Sequence, residues 1–452
     1  MLRSRRMSSS NSEAAVGNFS ADPGRIPQLA EAIRSGELTS ASLVQRYLDR
    51  IAVADPHVQC WRQVDGDRAL ADAQLRDGEV KAGRVRGPLH GIPVAIKDII
   101  DVEGMQTLAN CRARANIALA SGDAEIVRAL RNAGAIILGK VHTTEFAFFD
   151  PSPARNPHNL CHTPGGSSSG SAAAVASGTA PLAVGTQTVA SVNRPAAYCG
   201  IAAFKPSTSS LPTFGITPLG PSYDTPGFYG WRVDDAVYSY EAVAPSFAGN
   251  WPEAAADAAI RIAMPVEQHT SDAIPCMKNA LRRTADDLTN AGHAVVEKPS
   301  PISFESLFTM QRSTMLYEAG RALKYLLDHP KGQVGAKLTA AIVEGLAMPL
   351  PRYLDERAAI DEMRATFFSV FAETDVFLWP AAPGTAPKGL EWTGDPKYIA
   401  PWTALGGPIV SMPAGKAANG LPVGCILAGH PGADRQMTVW ARRLAAFAER
   451  HA

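Results

Sequence analysis

No sign of charge predominates in this sequence. Lysine and arginine number 43, aspartate and glutamate also 43, so the formal net charge at pH 7 is zero. A nucleic-acid binder normally carries a basic excess that displaces counterions from phosphates, so the balance argues against a nucleic-acid partner. Cysteine is scarce, with six in 452 residues (Cys60, Cys111, Cys161, Cys199, Cys276 and Cys425). That is far below the density of a disulfide scaffold, and no pair has zinc-site spacing. The ten histidines, among them His90, His142, His158 and His162, show no metal-ligand spacing either. Long apolar runs are missing too. No stretch reaches the ~18 residues a membrane helix needs. The basic, polar start MLRSRRMSSS has no apolar run after it, as a secretory signal would. The expectation is a cytoplasmic protein with reduced thiols and no membrane partner.

What is present is an apolar share of 46%, enough for a sizeable core. Residues 1–24 read as a flexible tail, and 25–452 as a single domain. Its first part, 25–80, is helical: Leu29, Ile33, Leu43, Val44, Tyr47, Leu48 and Ile51 recur at helical spacing. Gly36 breaks that pattern and Ser40 is placed to cap the second helix, which predicts a helical hairpin. From 87 to 230 short apolar runs alternate with helices. PVAIKDII (93–100) and GAIILGK (134–140) read as strands flanking the helix DAEIVRALRNAG. APLAVGTQT, RIAMPV, HAVVEKP, DVFLWP, PIVSMPAG and PVGCILAG read as further strands, with long helices between 271 and 374. The pattern predicts an α/β fold, a mixed β-sheet core covered by helices on both faces.

The most unusual stretch is HTPGGSSSGSAAAVASG, starting at His162. A Gly/Ser run can be a linker, but a linker is flanked by more low-complexity sequence. It can be a phosphate loop, but that ends in Gly-Lys-Ser/Thr and no lysine is here. It can be a catalytic turn, whose glycines let backbone approach a substrate while hydroxyls and amides face a site. The run opens an alanine-rich helix, whose N-terminus favours developing negative charge. A second Thr/Ser turn follows at GTQTVAS and a lysine precedes at Lys97. Two serine turns with an upstream lysine are the parts of a Ser-Ser-Lys nucleophile system.

These residues carry a family resemblance. GPLHGIPVAIKDIIDVEGM, LGKVHTTEFA, RNPHN, TPGGSSSGSAAAVASG, GTQT to RPAAYCG, FKPS, DVFLWP, WTGD, PIVSMPAG and LPVG stand in the order seen in amidase-signature proteins. The chain resembles that family over most of its length. The resemblance implies Lys97 as base, Ser167 as bridging serine behind a cis peptide bond, and Ser191 as nucleophile. The spacing 191 − 167 = 24 agrees. It implies an oxyanion hole from the backbone amides of Thr188, Val189, Ala190 and Ser191. Lysine serves as base only when neutral, which burial can achieve. Cys199 reads as a core thiol. The sequence departs from the family at one turn. Two glycines commonly precede the nucleophile and an aspartate stands two residues earlier; here Val189, Ala190 and Gln187 take those places. Asn193 stands where arginine is common, with Arg194 one place later. If the turn needs positive φ, valine would be strained by about a kcal/mol or more.

The resemblance implies a serine amidohydrolase that cleaves C–N acyl bonds through an acyl-enzyme, with no metal and no organic cofactor. Carbamates, urethanes and aryl esters lie within the same chemistry. Phe146, Phe148, Phe149, Phe214, Ile216 and Trp392 suggest a pocket for a small, neutral, partly aromatic amide or carbamate, although such side chains also serve plain core packing. The expected state is a monomer or homodimer. Two other readings remain open: the amidase subunit of a tRNA-dependent amidotransferase, and a catalytically impaired binding protein on the same fold.

Overall fold

Among the described residues, the alternation of apolar runs and helices folds as an eleven-stranded mixed sheet flanked by 13 helices. The computed structural model describes residues 17–244 and 259–451. Helices α1 (Ile26–Ser35) and α2 (Ser40–Val58) form the hairpin, and Gly36 turns the chain between them at φ 79°. The cap of α2 falls on Thr39 and not on Ser40. Thr39 Oγ1 accepts from Ser42 N at 3.1 Å, while Ser40 N donates to Asp77 Oδ1. Of the expected tail, residues 1–16 lie outside the described residues. Residues 17–24 differ from the expectation, because they are pinned to the body. Phe19 N donates to Pro157 O and Ala21 N to Ala176 O, and the Phe19 ring stacks on His57.

Next in the chain come β1 (Trp61–Val64), α3 (Gly66–Lys81), β2 (Pro93–Lys97), α4 (Glu125–Asn132) and β3 (Ile136–Val141). The central part holds α5 (Ser169–Ala176), β4 (Leu182–Gln187), α6 (Asn193–Cys199), β5 (Ala202–Lys205), β6 (Thr225–Gly230) and α7 (Val233–Val243). Then follow β7 (Arg261–Val266), α8 (Pro275–Asn290), β8 (Ala294–Pro299), α9 (Phe304–Ala322), α10 (Ala336–Ala347) and α11 (Leu350–Val370). The chain closes with β9 (Val376–Pro380), α12 (Ala400–Leu405), β10 (Ile409–Lys416), β11 (Pro422–Ala428) and α13 (Asp434–Glu449).

The strand order is β1-β3-β2-β4-β6-β5-β10-β11-β9-β7-β8. Strands β2 and β4 are parallel neighbours, with Ile96 opposite Val184. Their carboxyl ends, at Lys97 and Gln187, therefore leave the sheet side by side. That is where open α/β sheets generally hold their ligands. Strand β2 stops at Lys97 because the next residues turn: the amides of Ile99 and Ile100 both donate to Lys97 O. A second landmark is the aromatic cluster of Phe304, Phe367, Phe377, Trp379 and Trp402, which packs α9, α11 and α12 onto β9. It fixes α9 and α12 against the sheet, and both helices reach back to the β4 turn.

Candidate active site

Lys97 is fully buried at the end of β2. Its Nζ lies 2.8 Å from Ser167 Oγ and 2.9 Å from Thr186 Oγ1. Among the described residues no carboxylate forms an ion pair with it. Burial pushes the ammonium well below the ordinary lysine value, against a smaller opposing pull from the Asp224 charge. A neutral amine has a lone pair to accept a proton, so this environment suits a base.

Ser167 follows a cis Gly166–Ser167 peptide bond. The turn requires glycine, since a Cβ at Gly166 would sit 2.8 Å from Thr393 Cγ2 and 3.1 Å from Thr144 Cγ2. Ser167 O accepts from Thr144 N and Ser169 N at 3.0 and 2.8 Å, which fixes the backbone on either side of the hydroxyl. Helix α5 then leaves with every residue buried. Its small side chains follow from close packing. A Cβ on Gly170 would meet His142 N at 2.4 Å and Cys60 O at 2.6 Å, so the helix start rests directly on neighbouring backbone.

The turn after β4 carries Ser191, which is 7% exposed. Gln187 closes this turn from inside: its Oε1 accepts from Val192 N at 2.8 Å and Asn193 N at 3.0 Å. Arg194 ties it to the first serine turn, donating from Nη2 to Gly166 O at 2.7 Å and from Nη1 to Gly394 O at 2.6 Å. Thr188 Oγ1 donates to the buried Asp224 carboxylate, which also accepts from Leu219 N and Gly220 N. Every carbonyl of the turn is claimed. Thr188 O accepts from Gln311 Nε2 (2.9 Å), Val189 O from Thr403 Oγ1 (2.6 Å), Ala190 O from Arg194 N (3.0 Å) and Ser191 O from Tyr229 OH (3.0 Å). No described residue accepts a hydrogen bond from the amides of Thr188, Val189, Ala190 or Ser191. Neither Val189 nor Ala190 has positive φ, so the turn does not need the missing glycines.

The structure therefore joins Lys97 directly to Ser167, and Arg194, three residues after Ser191, ties that turn to the carbonyl of Gly166. Among the described residues no three His, Cys, Asp or Glu side chains are grouped to hold a metal ion.

The amidase family profile matches residues 42–438. This chain belongs to the amidase-signature family. It is similar to a glutamyl-tRNA(Gln) amidotransferase subunit from Lachnospira eligens, 30% identical, with 89% of this chain and 93% of that protein aligned. Among solved structures it is similar to an amidase, at 28% identity and TM-score 0.83, covering 94% of this chain and 99% of that one. It is also similar to the peptide amidase PAM bound to its competitive inhibitor chymostatin, at 29% identity and TM-score 0.80, covering 94% and 97%. The family and these relatives make it an enzyme of C–N bond chemistry. Among the described residues no helix is long and apolar enough to cross a membrane.

The apolar residues expected to line a pocket in this amidase-signature chain differ in their surroundings. Phe146 and Phe148 belong to the buried core. Phe146 turns back at φ 48°, and the Arg114 guanidinium covers its ring at 4.6 Å. Phe149 and Ile216 are partly buried against the same core. Phe214 is 76% exposed and lines a separate cleft of ≈ 540 Å³ with Asp101, Thr107 and Arg114. Trp392 is half exposed next to Thr393, the residue that touches Gly166. Cys199 is buried and donates to Pro164 O, and burial pushes its thiol up, away from nucleophile behaviour. Sequence reading missed Thr186, Asp224, Gln311 and Thr403 as parts of the site. Only Thr186 carried a signal, as the threonine next to Gln187 in GTQT.

Proposed function

We propose that this enzyme cleaves amide C–N bonds with Ser191 as nucleophile, Ser167 as proton relay and Lys97 as base. One observation carries the reading: a fully buried lysine with no carboxylate partner among the described residues, hydrogen-bonded to the serine of the Gly-Ser turn. Ser191 Oγ attacks the acyl carbon and gives its proton to Ser167, whose own proton passes to Lys97 Nζ. The amides of residues 188–191 hold the oxyanion, whose charge they stabilise most as it develops. Collapse of the tetrahedral species expels the amine, which takes the proton back along the same path. Water then repeats the sequence in reverse to release the acid. The scheme uses no metal or cofactor. A neutral acyl group beside Trp392 suits it, and carbamates, urethanes and aryl esters present the same carbonyl to the same groups.

A second reading, the amidase subunit of a tRNA-dependent amidotransferase, is favoured by the curated relatives, which bear the amidotransferase name over nearly their whole length. In that reading the subunit releases ammonia to a partner and works only in a heteromeric complex. The similarity to the peptide amidase PAM and the residues Gln187, Val189 and Asn193 favour a self-sufficient hydrolase. A catalytically impaired binding protein drew its support from the missing glycines, and neither position has the positive φ that would demand them.

The test is turnover by the protein expressed alone. A monomer or homodimer in gel filtration that hydrolyses anilides, primary amides or carbamates supports the hydrolase. A protein inert alone, but active on glutamine once partner subunits are supplied, supports the amidotransferase reading. Ser191→Ala is expected to lower turnover by at least about 100-fold with the fold intact.

A further inference from the structure

The amides after β4 can serve an oxyanion only if they face the acyl carbon, and a turn without side-chain restraints can rotate its peptide planes. In a trans peptide the carbonyl of one residue and the N–H of the next point in opposite directions within one rigid plane. A hydrogen bond that fixes the carbonyl therefore aims the following amide. Gln311 from α9 holds Thr188 O at 2.9 Å, and this turns Val189 N–H away from α9. Thr403 from α12 holds Val189 O at 2.6 Å, and this turns Ala190 N–H away from α12. A carbonyl only accepts, so the Thr403 hydroxyl must donate to Val189 O. Its lone pair is in turn occupied by Gln187 Nε2 at 2.9 Å. Gln187 can do this because it is an amide. Its Oε1 accepts from Val192 N and Asn193 N while its NH2 orients Thr403. A carboxylate at 187 could accept from the two amides but could not donate to Thr403.

We infer that Gln187, Thr403 and Gln311 are positioning residues that lock the Val189 and Ala190 amides into the oxyanion hole. The inference rests on Ser191 being the nucleophile. In this arrangement the glutamine, valine and alanine of the turn form one solution: side-chain donors from α9 and α12 rigidify a turn that the family commonly builds with aspartate and two glycines. Gln187→Glu has nearly the same shape, but its carboxylate would draw the Thr403 proton to itself and release Val189 O.

The experiment compares Thr403→Val, Thr403→Ser, Gln187→Glu and Gln311→Met with the full-length wild type on one small anilide. kcat, KM, melting temperature and the affinity of a trifluoromethyl ketone, whose adduct carries the oxyanion, are measured for each. Labelling of Ser191 by a fluorophosphonate, located by peptide mass, is scored in parallel. Expected are kcat losses of roughly tenfold or more for Thr403→Val, Gln187→Glu and Gln311→Met, below the ~100–1000-fold of a deleted oxyanion donor. KM stays within about twofold, ketone affinity falls in step with kcat, and Thr403→Ser restores both. The inference is overturned if the Thr403→Val and Gln187→Glu proteins keep wild-type kcat and ketone affinity. It is equally overturned if their losses follow melting temperature alone and serine does not rescue. Should wild-type Ser191 escape labelling and Ser191→Ala remain active, the nucleophile assignment itself fails, and that result is separate from the other two.

Discussion

A buried lysine without a counter-charge costs folding free energy, because unfolding returns it to water where it can be protonated. The sign of the pH effect follows from that. The folded-state value of Lys97 is depressed by burial, so between it and the ordinary lysine value the unfolded chain binds the extra proton. The Lys97 contribution to stability therefore rises with pH across that window and is lowest below it. Replacing Lys97 by methionine, of similar volume, should raise the melting temperature at neutral pH and flatten its rise toward alkaline pH, while abolishing turnover. Wild-type kcat should climb with pH as the lysine loses its proton and then level off. A rate independent of pH, or an active Lys97→Met protein, would point to another base. At the same scale, Val189→Gly with Ala190→Gly should bring no relief of strain, since neither residue has positive φ. The double variant should lose about 0.5–1 kcal/mol per glycine through backbone entropy, with lower turnover on small and bulky anilides alike. Higher turnover on the bulky substrate at an unchanged melting temperature would contradict this.

Among the elements, α5 shows what the sequence could and could not reveal. The run SAAAVASG was legible as a helix, which in the structure starts two residues earlier, at Ser169. The reason for its composition was not legible, because it lies in His142, just after β3, and in the loop at Cys60, whose backbone the helix start touches. Gly170→Ala should therefore cost about 1–3 kcal/mol by overpacking, in spite of alanine's better helix propensity. Thermal melts would show it; an equal or higher melting temperature would mean the helix can shift freely. Strands β2, β3, β4 and β7 through β11 were readable from apolar runs. Strand β1, WRQV, was hidden because only its first residue is fully buried. Strand β6, TPGFYG, was hidden because proline and glycine argue against a strand, and its pairing with both β4 and β5 overrides that preference. The α2 cap moved by one residue because Thr39 and Ser40 offer the same hydroxyl, and the choice between them depends on Asp77.

At the scale of the whole molecule, the local site and its supports differ in legibility. Lys97, Ser167 and Ser191 sit in motifs within one segment, and the order of those motifs is a sequence signal. Gln311 and Thr403 reach the Ser191 turn from helices more than a hundred residues later, placed there by an aromatic cluster that no local pattern announces. That Phe146 and Phe148 pack in the core was not legible for a related reason: an apolar ring looks alike in sequence whether it faces a substrate or fills a core. In the proposed reaction an acyl group passes through Ser191, and that species can be trapped. The protein would be mixed with a nitrophenyl ester or activated anilide, quenched in acid within the first turnover, and digested for peptide mass mapping. Expected is one acyl mass on Ser191, lost in Ser191→Ala and reduced in Lys97→Met. Turnover with the acyl group on another residue, or with Ser191 never modified, would contradict it.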